Sequence, residues 1–121
     1  MKAMAHTLEL FQRISWNNTK FEVVSRTNTE LTIAFDSVSL SGEEPRRVEM
    51  VFLEPSNEWA SLWSQSANEW IEHPDHEKPI GNRVEEATAK VVRKLKFSFG
   101  GHHELGWARW GFTAESIRVN A

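Results

Sequence analysis

Ser56-Asn57-Glu58-Trp59-Ala60-Ser61-Leu62-Trp63-Ser64-Gln65-Ser66-Ala67-Asn68-Glu69-Trp70-Ile71 is the stretch on which the reading of this chain turns. Trp59, Leu62, Trp63, Ser66, Ala67, Trp70 and Ile71 recur at steps of three and four, the spacing of one face of an α-helix. Glu54-Pro55 ends what precedes it, and Ser56 suits an N-cap, with Glu58 and Trp59 in the first turn. Pro74, just after His73, stops it. The spacing predicts a helix of three or four turns that carries three of the chain's six Trp.

Upstream of that stretch the period is two. Phe21 and Val23, then Leu31, Ile33 and Phe35, alternate with polar or small neighbours, the pattern of half-buried strands. Arg26 to Glu30 between them reads as a hairpin loop. Val38 and Leu40 extend the second strand, and Ser41-Gly42-Glu43-Glu44-Pro45 punctuates the chain. A third strand runs from Arg47 to Leu53, with Val48, Met50 and Phe52 on one face. The three form an antiparallel meander. Leu8 to Ile14 reads as either helix or strand, and His6 belongs to a frayed start.

Downstream, Glu72 to Asn82 is polar, holds two Pro and a Gly, and reads as an exposed loop. Val84 to Phe99 supports two readings. As a helix, Asn82 caps it with Glu85 at the third position, and Val84, Ala87, Val91 and Leu95 share a face. As a strand, Ala87, Ala89, Val91, Leu95, Phe97 and Phe99 alternate with polar residues, and only Val92 and Arg93 break the pattern. Gly100 to Glu104 reads as a loop, and Leu105 to Phe112 and Glu115 to Val119 as short strands. The sum is a single α+β domain over residues 1–121. It has a mostly antiparallel sheet of five or six strands, with one Trp-rich helix packed across it.

Composition bounds the function. With 40% apolar and 26% charged residues the chain is an ordinary globular protein, not a disordered one. A net charge of −3 argues against nucleic acid as a partner. The absence of Cys removes disulfides, thiol catalysis and Cys-based zinc sites. No apolar run reaches the roughly 18 residues of a membrane span, and no secretory leader is evident, so the expected location is the cytoplasm. Paired catalytic acids, a Gly-x-Ser-x-Gly elbow and a Gly-rich phosphate loop are not discernible. Lys90, Arg93, Lys94 and Lys96 read as a solvated basic face.

Six Trp and seven Phe without Tyr are a heavy aromatic load for 121 residues. Trp provides a large contact area at small ordering cost, so surplus indoles mark recognition surfaces. If Gly106 to Phe112 is a strand, Trp107 and Arg109 point one way and Ala108, Trp110 and Phe112 the other. An outward Trp107 beside Arg109 suggests a cation–π pair. The candidate partner-binding residues are therefore Trp63, Trp70, Trp107 and Arg109, with His73 and Asp75 at the edge. His73, His76, His102, His103 and Glu104 have the chemistry of metal ligands, but their spacing matches no standard motif, and no cofactor is expected.

Phe97-Ser98-Phe99-Gly100-Gly101 and Gly111-Phe112-Thr113-Ala114-Glu115-Ser116-Ile117-Arg118-Val119 resemble the closing hairpin of small β-rich immunity proteins of bacterial toxin systems. The resemblance covers about a fifth of the chain. It implies a non-catalytic protein that blocks a cognate toxin. The expected function is a non-catalytic protein-binding domain, an inhibitor or immunity-type factor. One alternative is a small-molecule, carbohydrate or metal-binding protein built on the His-rich loops, and another is a structural subunit of a phage or secretion assembly. Oligomeric state is left open.

Overall fold

The computed structural model describes residues 8, 9, 11–14, 16, 18–39 and 44–120. His6, Leu40 and Ser41 to Glu43, on which expectations were placed, lie outside them. Ten strands follow in order: β1 (Thr19–Arg26), β2 (Glu30–Val38), β3 (Arg46–Leu53), β4 (Ser56–Ser64), β5 (Glu69–Glu72), β6 (Arg83–Val84), β7 (Glu86–Val92), β8 (Lys94–His103), β9 (Gly106–Ala114) and β10 (Ser116–Asn120). They form two antiparallel five-stranded sheets, ordered β10-β3-β2-β1-β6 and β5-β4-β9-β8-β7. Among the described residues, which include all six Trp, the fold is all-β rather than α+β, and there is no Trp-rich helix.

The stretch read as that helix is a hairpin. Ser64 pairs with Glu69 around the turn Gln65–Asn68, so Trp63 and Trp70, seven apart in sequence, are direct cross-strand partners. A heptad spacing and a four-residue hairpin loop place the same two residues side by side. Asn68 closes the turn at φ 54°, a left-handed conformation that Asn tolerates better than most residues. The Ser64 hydroxyl accepts the Ala67 N–H at 3.2 Å. Ser56 is no helix cap: its hydroxyl lies 2.8 Å from that of Thr113 across the β4–β9 pair. The β4–β9 register shifts between Ser56 and Trp59, and Asn57 has φ 51°. That bulge hides the period-two pattern that runs from Trp59 to Trp63.

The ambiguous segment from Val84 to Phe99 resolves as strand, folded back on itself. Val92 pairs with Lys94, so Arg93 alone forms the turn, at φ 67°. The break at Val92 and Arg93 is the end of the hairpin. Gly100 and Gly101 do not make a loop either, because β8 runs straight through them to His103. A Cβ on Gly101 would come within 2.4 Å of Ile80 Cγ2 and 2.5 Å of the Arg83 carbonyl. Glycine is needed there for the close approach of the neighbouring chain.

The core lies between the sheets. Six of the seven Phe are buried in it (Phe11, Phe35, Phe52, Phe97, Phe99 and Phe112), meeting mostly tilted or edge-to-face at centroid distances of 4.8–6.4 Å. These are the geometries preferred by ring quadrupoles. Leu8, Phe11 and Ile14 share the buried side of a short N-terminal turn whose Arg13 N–H reaches the Glu9 carbonyl. The segment Glu72 to Asn82 was expected to be an exposed loop, but Glu72 ends β5 and the rest sends His73, Pro79 and Ile80 into the interior. No helix among the described residues is long and apolar enough to cross a membrane.

Candidate functional site

Alternation along β4 and β9 decides which Trp remain for a site. On β9, Ala108, Trp110, Phe112 and Ala114 are buried, so Trp107, Arg109, Gly111 and Thr113 face out. On β4, Ala60 and Leu62 are buried, so Trp59, Ser61 and Trp63 face out. Cross-strand pairing extends these outward rows across the sheet: Trp63 with Trp70, Ser61 with Arg109 and Glu72, Trp59 with Gly111, and Trp107 with His102. The second sheet thus carries Trp59, Trp63, Trp70 and Trp107 on one outer face.

Trp63 and Trp70 meet edge to face at 5.4 Å and 71°. His102 and Trp107 do the same at 5.0 Å and 81°. The Arg109 guanidinium sits 4.6 Å from the centroid of Trp70, so the cation–π partner is Trp70 and not the adjacent Trp107. Arg109 reaches it by crossing β4 at Ser61, whose short side chain leaves room. On its other side Arg109 Nε is 3.7 Å from Glu86 Oε1. Trp59, which the sequence-based choice of site omitted, lies against Gly111: a Cβ on that glycine would be 2.5 Å from Trp59 Cζ2. Period-two spacing from Trp59 to Trp63 was the available sign. Trp59, Trp63 and Trp107 are half-buried, and Trp70 is 37% exposed. A groove of about 610 Å³ opens at one end of the face, between the two hairpin tips, lined by Trp63, Ile71, Leu105 and Trp107 among others.

The other two indoles are structural. Trp110 is buried and donates its N–H to Glu58 Oε2 at 2.7 Å. Trp16 packs on Phe11, Phe35 and Phe99.

His73 offers no surface to this face, because it is fully buried. Asp75 is half-buried and meets His103, which lines the groove with Trp63 and Trp107. The two His-bearing segments do meet: the rings of His73 and His103 lie edge to face at 4.6 Å. Each accepts a backbone N–H at Nδ1 from two residues on, Asp75 at 2.9 Å and Leu105 at 3.1 Å. The neutral rings therefore carry their proton on Nε2. His103 Nε2–H faces Asp75 Oδ2 at 3.3 Å, whereas His73 Nε2 is buried without a hydrogen-bond partner. Burial, and then the neighbouring His103, hold the His73 pKa below its ordinary value; the Pro79 carbonyl and Asp75 oppose this only in part. Asp75 is held below the usual carboxylate range by the Lys78 N–H and then by His103. His76 faces Glu72 at 3.4 Å, His102 meets Trp107 edge to face, and Glu104 lies in a turn. Among the described residues no group of three or more His, Asp or Glu side chains is arranged to hold a metal ion.

No protein-family model, no curated protein and no solved structure matches the chain, and nothing in these comparisons bears on the likeness of its C-terminal strands to immunity proteins.

Proposed function

We propose that this protein is a non-catalytic binding domain for another protein, which docks on the outer face of the second sheet over Trp63, Trp70, Trp107 and Arg109. The observation that carries the reading is the row of rings spanning β8, β9, β4 and β5, with Arg109 seated on one of them and all still partly open to solvent. Trp and Arg are the residues on which protein interfaces concentrate their binding energy. Ring orientation favours a protein over a sugar. Interplanar angles of 71° and 81° leave ring edges projecting. Such a surface is ridged and suits interdigitating side chains better than the flat face of a pyranose.

The test compares the wild-type protein with a Trp70→Ala/Trp107→Ala double variant shown to be folded by its melting curve. Any protein captured only by the wild type is purified and titrated against both. Stoichiometric binding weakened at least about tenfold by the double substitution is expected from the loss of two interface indoles. Equal binding by the variant removes the site. Retention on a polysaccharide matrix, lost in the variant, would replace the protein partner with a carbohydrate.

A further inference from the structure

A second concavity lies away from the Trp face, at the side of the sandwich where β1 is incompletely paired. β6 covers β1 only at Thr19 and Lys20, and the Phe21 N–H is taken by the Asn82 carbonyl. Beyond that point a cleft of about 530 Å³ separates β1 from the loop 77–82, a volume in the range of small-molecule sites. Phe21, Val23 and Pro79 line it, and the buried Ile80 and Trp110 form its floor. Arg26 and Glu58 close one end with two hydrogen bonds, at 2.6 and 3.1 Å.

Two ammonium groups at the mouth are unpaired among the described residues. Arg26 is spent on Glu58, and Glu22 shares Arg47 with Asp36, each at 2.8 Å. Lys20 on one wall and Lys78 on the other have no ion-pair partner among the described residues, and Glu77 is the single acid left to set against them. Two free ammonium groups thus flank an apolar slot in a chain of net charge −3.

We propose that this cleft binds a small amphipathic organic anion, with its apolar body between Phe21 and Ile80 and its carboxylate between Lys20 and Lys78. The site is independent of the Trp face, since Trp110 points inward from β9 where Trp107 and Arg109 point outward. The probes are 2-naphthoate, the neutral 2-naphthalenemethanol and the cationic 2-naphthylmethylammonium, titrated into the full chain and followed by amide shifts and calorimetry. Naphthoate is expected to shift the amides of Phe21, Val23, Gly81 and Asn82 and to bind at least about tenfold tighter than the neutral probe. That preference is lost in a Lys20→Glu/Lys78→Glu variant. Both lysines are exposed, so this variant keeps the fold, and Trp70→Ala/Trp107→Ala keeps naphthoate binding. Equal affinity for all three probes, shifts confined to the Trp63/Trp107 groove, or no shifts at millimolar probe would each overturn the proposal.

Discussion

Glu58 ties the two sheets together through one carboxylate, and its removal has a calculable cost. It lies on β4, accepts the indole N–H of Trp110 from β9 at 2.7 Å, and takes both guanidinium nitrogens of Arg26 from β1. Glu58→Ala removes all three hydrogen bonds. The larger loss is at Trp110, which is only 3% exposed: a buried donor left unpaired costs about 1–3 kcal/mol. The Arg26 pair is half open to solvent and contributes about 0.5–1 kcal/mol. The sum is about 1.5–4 kcal/mol. With a urea m-value of about 2 kcal/mol/M, the midpoint should fall by roughly 0.7–2 M. Arg26→Ala should cost less than about 1 kcal/mol, because Glu58 still serves Trp110. Glu58→Gln should fall between them, since its amide oxygen still accepts the indole N–H without the charge. Urea unfolding of the three variants, followed by circular dichroism, checks the order. The reasoning is refuted if Glu58→Ala costs no more than Arg26→Ala, for then the indole hydrogen bond contributes nothing.

Three further outcomes follow from the geometry. Acid should destabilise the fold in two stages. Because His73 has a folded pKa below 6.5, the unfolded chain binds the extra proton, and stability drops as pH falls below 6.5. Asp75, with its folded pKa below the ordinary 3.8, loses its contribution as pH falls below 3.8 through that lower value. Urea midpoints at pH 7.5, 5.5 and 4.5 test the first stage; a flat or rising trend contradicts it. Gly101→Ala should cost about 1–3 kcal/mol, because its methyl would meet the Arg83 carbonyl at 2.5 Å; an unchanged melting midpoint would deny the close approach of β6 to β8. Arg93→Gly should stabilise by about 0.5–1 kcal/mol, since relief of a left-handed residue gives about 1–2 kcal/mol and the extra chain entropy of Gly returns about 0.5–1 kcal/mol. A lower midpoint would mean that the turn does not rest on Arg93.

The meander β1–β2–β3 was legible because β2 and β3 each turn one side to the core, so alternation is written directly in Leu31, Ile33, Val48, Met50 and Phe52, and β1 keeps the same period with Phe21 half-buried and Val23 exposed. The same logic separated Trp107 and Arg109 from Trp110. Two other turns are made without Gly or Pro. Gln65–Asn68 and Arg93 reverse the chain with residues that read as helix or strand, and the bulge at Asn57 puts Ser56 and Trp59, three apart in sequence, on the same face. The burial of His73 was hidden by its polar neighbours. Its ring is satisfied at Nδ1 by the Asp75 amide and its backbone by the Ala60 carbonyl, contacts that composition does not reveal. The surplus of indole was visible in the sequence. Its location was not, because that depends on six Phe and Trp110 filling the space between the sheets.

The account rests on four indoles on the outer face of the second sheet, with Trp110 buried and Trp16 packed against the core with its N–H enclosed. Assigned indole N–H resonances of the six Trp, measured with a soluble paramagnetic agent in solution, test it without any partner. Strong broadening for Trp70 and intermediate broadening for Trp59, Trp63 and Trp107, with Trp16 and Trp110 protected, is the expected pattern. Protection of all six, or broadening of Trp110 as strong as that of Trp70, would contradict it.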